Sequence, residues 1–86
     1  MYEIFLTKNA QRFYEKADVT LVRKLNHCFQ QLEADPYNYP NIKALKGPLS
    51  DTFRYRLGNW RVLYRIARSS QQVVILLIVH RKNAYR

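Results

Sequence analysis

Apolar residues recur along this chain in two rhythms, one suited to helices and one to strands, and the change between them falls near the middle. Tyr2, Ile4 and Leu6 take every second position and predict a first strand over residues 2–6. Thr7 ends it and offers a hydroxyl that can cap a helix. Across residues 8–16 the spacing becomes helical, with Ala10, Phe13, Tyr14 and Ala17 on one side, and Asp18 supplies a second cap. Leu21, Val22, Leu25, Cys28, Phe29 and Leu32 then recur at i, i+1, i+4, i+7, i+8 and i+11. They predict a longer amphipathic helix that stops near Asp35, because Pro36 disfavours helical geometry in the residue before it.

Residues 36–51 hold three prolines, Gly47 and two asparagines, and read as a long loop with one helical turn around residues 42–45. Three strands follow, over residues 53–57, 60–67 and 73–80. Gly58-Asn59 predicts a tight hairpin, with Gly58 taking the positive φ that a type II′ turn requires at its first central position. Ser69, Ser70 and Gln71 make the next turn. The unbroken apolar run over residues 73–79 predicts a central strand covered on both faces. The expected fold class is α+β: an N-terminal strand, a two-helix hairpin and a three-strand antiparallel meander, joined in a mainly antiparallel sheet. Its 86 residues suit one domain, spanning residues 1–86, with a modest core.

Charge turns this outline towards a partner. From residue 52 to the end there are seven Arg, one Lys and no Asp or Glu, whereas residues 1–51 carry seven basic against six acidic groups. The net charge of +9 is therefore concentrated where the sheet is expected, and a cationic block of this kind suits a polyanion, nucleic acid above all. The single cysteine, Cys28, excludes an internal disulfide framework and sits on the apolar stripe of the second helix, as a small core residue would. His27 beside it reads as a boundary residue. No apolar run approaches the roughly 20 residues of a membrane helix, and the N-terminus lacks the pattern of a secretion signal, so a cytoplasmic location is expected.

The hairpin sorts this charge by face. Around Gly58-Asn59, opposed residues pair Arg56 with Arg61, Tyr55 with Val62 and Arg54 with Leu63. Alternation then puts Arg54, Arg56, Arg61 and Arg65 on one face, and Phe53, Tyr55, Leu57, Trp60, Val62, Tyr64 and Ile66 on the other. Like charges directly opposite weaken a hairpin, so Arg56 facing Arg61 makes sense when an anion binds between them. A solvated edge that resists pairing would carry charges too. The ending, His80-Arg81-Lys82-Asn83-Ala84-Tyr85-Arg86, gathers a histidine, cations and a tyrosine that could bind phosphate, stack on a base and move protons, or else fray as a basic tail.

As a set these stretches resemble the RelE/ParE superfamily of toxins from bacterial and archaeal toxin–antitoxin pairs, and its RelE branch of messenger-RNA interferases most closely. The similarity spans nearly the whole chain and rests on residues 45–49 (Leu-Lys-Gly-Pro-Leu), residues 53–64 and the ending from His80 to Tyr85. The resemblance implies a RelE-like, microbial-RNase-type fold. It also implies ribosome-dependent cleavage of messenger RNA in the A site by 2′-hydroxyl attack on the adjacent phosphodiester. The family's basic positions before the turn correspond to Arg54 and Arg56, the arginine after it to Arg61, and the terminal arginine and tyrosine to Arg81 and Tyr85. Three residues separate Arg81 from Tyr85, as in one subset of the family, and no C-terminal helix follows.

The catalytic set so implied is Arg61, Arg81 and Tyr85, with Arg54, Arg56, Lys46, His80 and Lys82 as RNA-binding residues. Arginine cannot act as a general base, so Arg61 and Arg81 suit the stabilisation of charge on phosphorus and its oxygens, while Tyr85 suits stacking or orienting the 2′-hydroxyl. Asp51 is the last carboxylate before the basic stretch, so no Mg²⁺ site and no cofactor are expected. The partners implied are a cognate antitoxin, the ribosome and its messenger, and operator DNA reached through the antitoxin, with no membrane. Two other functions fit the residues: a gyrase-inhibiting toxin of the ParE branch, and an RNA-binding module that does not cut.

Overall fold

The computed structural model describes residues 1–47 and 51–83. The order of elements is β1 (Glu3–Leu6), α1 (Lys8–Lys16), α2 (Val19–Ala34), β2 (Ile42–Ala44), β3 (Thr52–Leu57), β4 (Trp60–Ala67) and β5 (Gln72–His80), followed by a 3-10 turn over Arg81–Asn83. Both helices begin as their caps dictate. Thr7 Oγ1 accepts the Ala10 N–H at 3.2 Å, and Asp18 Oδ1 accepts the Leu21 N–H at 2.8 Å. The chain leaves α2 through Asp35, whose carboxylate accepts the N–H groups of Tyr37 and Asn38 and the Asn38 side-chain amide. These bonds favour the ionised form and hold its pKa below the usual carboxylate value.

The strands form one sheet in the order β1-β5-β4-β3-β2, with β1 parallel to β5 and every other pair antiparallel. Residues 42–44 are a strand rather than the expected helical turn. Ile42, Lys43 and Ala44 pair with Tyr55, Arg54 and Phe53, and this ladder outweighs any local preference in three residues. The β3–β4 hairpin has the expected register, Arg56 opposite Arg61 and Leu57 opposite Trp60 across a two-residue turn. Gly58 has φ +60°, while Asn59 is not among the positive-φ residues, which fits a type II′ turn and excludes type I′. Between β4 and β5 the register shifts, since Leu63 faces Leu77 but Tyr64 faces Ile75 and leaves Leu76 as the extra residue of a bulge. The Leu76 carbonyl accepts the Thr7 hydroxyl at 2.9 Å, so the residue that caps α1 also holds the bulge.

The helices cover one face of the sheet. Ala10, Leu25, Cys28 and Leu32 close on Tyr55, Val62, Tyr64, Val73, Ile75 and Ile78, all buried. Burial pushes the Cys28 thiol and the Tyr64 phenol up from their ordinary values. Tyr64 still needs an acceptor for its proton, and its hydroxyl donates to the Pro36 carbonyl at 2.7 Å, fixing the loop after α2 to the sheet. Phe53, opposite Tyr64, stacks on it at 5.6 Å.

The other face departs from expectation at β5. Among the described residues no element packs over it, and Val74, Leu77 and Val79 are half-buried rather than enclosed. Their apolar run reflects one face covered by helices and a second that adjoins Leu63 of β4 and the half-exposed Phe5 of β1. No helix among the described residues is long and apolar enough to cross a membrane. His27, expected at a boundary, is exposed.

Candidate functional site

Pairing fixes which residues share the open face: Lys43 on β2, Arg54 and Arg56 on β3, Arg61 and Arg65 on β4. Arg56 donates its backbone N–H to Asn41, away from β4, so Arg56 and Arg61 form a non-hydrogen-bonded pair. In that geometry their Cα atoms stand about 4.5 Å apart and both side chains leave the same side. Like charges on directly opposed residues weaken a strand pair, and an anion bound between them would offset that cost. A cavity of about 260 Å³ lined by Arg54, Arg56, Pro40 and Asn41 continues this cationic surface towards β2.

Arg61 is held by the turn it follows. Its Nη1 donates to the carbonyls of Gly58 at 2.9 Å and Trp60 at 3.0 Å, while its Nε is shielded from water without a hydrogen-bond partner. A buried donor lacking an acceptor costs on the order of 1–3 kcal/mol and is uncommon in native proteins. The same turn holds the chain's ending. The Arg81 N–H donates to the Asn59 carbonyl at 2.7 Å, and the Lys82 N–H donates to Nδ1 of His80 at 3.3 Å. Arg81–Asn83 is therefore an anchored 3-10 turn, not the frayed tail that its composition allows.

The sequence-derived residues divide accordingly. Arg54, Arg56 and Arg61 share the open face, and Arg81 and Lys82 are exposed beside the hairpin tip. Lys46 is exposed but lies past the opposite end of β3, next to Thr52, about 13 Å of strand from Arg56. His80 pairs with Trp60 and so shares the helix-covered face, its ring edge-on to Trp60 at 5.1 Å. Tyr85 lies outside the described residues. Lys43, absent from that set, stands directly opposite Arg54. Its signal was unreadable without the strand that carries it. The Asn59 carbonyl was likewise invisible, because a backbone acceptor carries no signature in the sequence.

Among the described residues no group of three or more His, Cys, Asp or Glu is placed to hold a metal ion. A roomier cleft, about 420 Å³, lies on the helix side between Arg12, Phe13, Lys16, Leu21 and Trp60, away from the paired arginines. The arginines lie on a sheet face that no described element covers, an arrangement suited to an extended polyanion rather than an enclosed small molecule.

The chain matches the family model of the ParE toxin of the type II toxin–antitoxin system over residues 4–85. It is similar to toxin RelG of Mycobacterium tuberculosis, with 33% identity over 86 residues, which covers 99% of this chain and 97% of that one. Its structure is similar to a chain of the toxin–antitoxin complex RelBE2 of Mycobacterium tuberculosis (TM-score 0.78, 31% identity, 92% of this chain and 96% of that chain). The archaeal RelE–RelB complex of Pyrococcus horikoshii shares the fold (TM-score 0.81, 23% identity, 96% and 98% covered). With the α+β fold and the arginine-bearing hairpin already in place, the chain belongs to the RelE/ParE family as a toxin of a type II toxin–antitoxin system.

Proposed function

We propose that this toxin is a ribosome-dependent endoribonuclease that cuts messenger RNA in the A site. The observation that carries the reading is the Arg56–Arg61 pair on an open sheet face, with Arg81 tethered to the turn beside it. The 2′-hydroxyl of the nucleotide before the cut attacks the adjacent phosphorus, the bond to the 5′-oxygen breaks, and a 2′,3′-cyclic phosphate remains. Arg61 and Arg81 stabilise the charge that builds on the phosphoryl oxygens, an electrostatic role worth most where the donors are already oriented. Arg54, Arg56, Lys43 and Lys82 hold the flanking phosphates. Tyr85 stacks on a base or orients the attacking hydroxyl.

The residues fit chemistry without a metal, since the nucleophile belongs to the substrate and the cations supply the charge stabilisation. The ribosome contributes by holding the RNA in line for attack, which positioning alone can make worth several orders of magnitude. In the cell an antitoxin covers or displaces this surface, and the pair reaches operator DNA through the antitoxin.

The test is primer extension on ribosome-bound messenger with analysis of product ends. Cleavage that survives chelation, with ribosomes maintained by cobalt hexammine, and that leaves a 2′,3′-cyclic phosphate or its hydrolysis product, supports the reading. A 3′-hydroxyl paired with a 5′-phosphate would overturn it in favour of an activated water. The match to the ParE family model favours a second reading, inhibition of DNA gyrase, and a supercoiling assay separates the two.

A further inference from the structure

His80 is the residue at which β5 ends, and its ring does not reach the arginine face. The chain turns immediately after it into Arg81–Asn83, and the Lys82 N–H donates to His80 Nδ1 at 3.3 Å. That is the bonding pattern of a helix N-cap, in which a side-chain acceptor takes the N–H of the second residue of the turn. Histidine is an unusual cap, but Nδ1 lies about where the side-chain oxygen of asparagine would lie, and asparagine is among the best caps known. To accept, Nδ1 must carry a lone pair, so the ring proton resides on Nε2. The ring itself is braced by Trp60 at 5.1 Å, and Trp60 in turn packs edge-on against Phe13 of α1 at 5.1 Å.

Two consecutive amides of the ending are therefore tied to different supports, Arg81 to the Asn59 carbonyl and Lys82 to the His80 ring. Arg61 takes the carbonyls on either side of Asn59. One turn, Gly58-Asn59, thus sets both the side chain of Arg61 and the backbone of Arg81. The anchor that is not part of the hairpin is His80. We propose that His80 is a positioning residue that caps the terminal turn and thereby fixes Arg81 against Arg61 for the cleavage step. This rests on the RNA-cutting reading and departs from a direct contact between His80 and RNA. Its imidazole acts through Arg81, which touches the substrate.

Two substitutions separate the cap from the ring packing. His80→Asn keeps an acceptor and loses the aromatic contact with Trp60, whereas His80→Phe keeps the ring and loses the acceptor. Cleavage of ribosome-bound messenger should fall about tenfold in kcat for His80→Phe with KM within twofold, because a missing cap releases Arg81 in the transition state and not the phosphate contacts of the hairpin. His80→Asn should rescue kcat to within threefold of the wild type. Hydrogen exchange at the Lys82 amide, read by NMR on the free toxin, should quicken about tenfold in His80→Phe and stay slow in His80→Asn. Equal kcat for the two variants, an effect on KM alone, or unchanged Lys82 exchange in His80→Phe would each overturn the proposal. Should the wild-type toxin not cut messenger at all, the activity reading fails by itself, and Lys82 exchange then decides whether His80 caps the turn.

Discussion

β4 carries two molecules' worth of chemistry on its two sides. Towards the helices it presents Val62 and Tyr64, fully buried and complementary to Leu25, Cys28 and Leu32. On the open side it presents Arg61 and Arg65, with Arg56 and Arg54 alongside on β3. The first side is satisfied: its one buried hydroxyl pair of note, Tyr64 to Pro36, closes, and its apolar surface is removed from water. The second is not, since like charges face each other and a guanidinium nitrogen is shielded without an acceptor. Folding free energy is gained on one side and held in reserve on the other. A substitution should therefore register in stability or in activity according to the side it strikes.

The largest contrast is expected between Arg61→Ala and Leu25→Ala. Removing Arg61 should lower messenger cleavage by about a hundredfold or more, as losing an oriented charge-stabilising donor does, with the melting temperature hardly changed. Leu25→Ala should cost about 2–5 kcal/mol of stability through the cavity it leaves, while the fraction still folded cuts normally. Comparable losses of melting temperature in the two would show that Arg61 is a structural residue. Gly58→Ala strikes the turn that joins both sides. A Cβ there meets no atom within 4 Å, so the penalty is the backbone at φ +60°, about 1–2 kcal/mol, and cleavage should fall with it as Arg61 and Arg81 lose their common anchor. A variant that loses stability but keeps full kcat would separate the turn from the chemistry.

Tyr64→Phe should destabilise by roughly 1 kcal/mol in a denaturant titration, since the Pro36 carbonyl loses its donor, and should leave kcat alone. The smallest effect belongs to Asp35, remote from both sides. Its carboxyl pKa is lowered by the bonds from Tyr37 and Asn38, so its contribution is fully present above the unfolded value near 3.9 and is lost as pH falls through the lower folded value. Asp35→Asn should flatten the acid limb of the stability profile by lowering stability slightly at neutral pH, where the contribution is present, while leaving stability nearly unchanged at pH values below the folded pKa. An identical acid limb in the variant would assign that titration to other carboxylates.

Much of this was legible in the sequence, for local reasons. Thr7 and Asp18 announce their helices, Gly58-Asn59 sets the hairpin register, and alternation from that register sorts Arg54, Arg56, Arg61 and Arg65 to one face. What escaped depends on pairing between distant segments. Ile42-Lys43-Ala44 has no pattern of its own and becomes a strand only because β3 offers it an edge, which brought Lys43 to the site unannounced. The apolar run of β5 has the same composition whether one face or two are covered, so Leu77 and Val79 gave no warning of their half-exposure. The ending looked unanchored because its support is a main-chain carbonyl more than 20 residues earlier, at Asn59. The bulge shifts the alternation along β5 by one step and so carries His80 to the helix side, which nothing local in the sequence marks.

That bulge carries a consequence for how the chain can change length. Leu76 lets Val73 and Ile75 point into the core on one side of it, and Ile78 and His80 on the other, so odd and even positions exchange roles midway along a single strand. Losing Leu76 itself would leave a regular ladder with His80 still opposite Trp60, whereas losing a residue after the bulge while the bulge is kept would slide the rest of the strand back one place. Arg81 would then occupy the position of His80, under the helices and against Trp60, with its charge taken from the surface. An extra residue anywhere between the bulge and Arg81 would miscount in the other direction. The stretch from Trp60 to Arg81 is in this sense a measured spacer whose slack lies in the Arg68–Gln71 turn, where the chain can be lengthened without moving either end of the count.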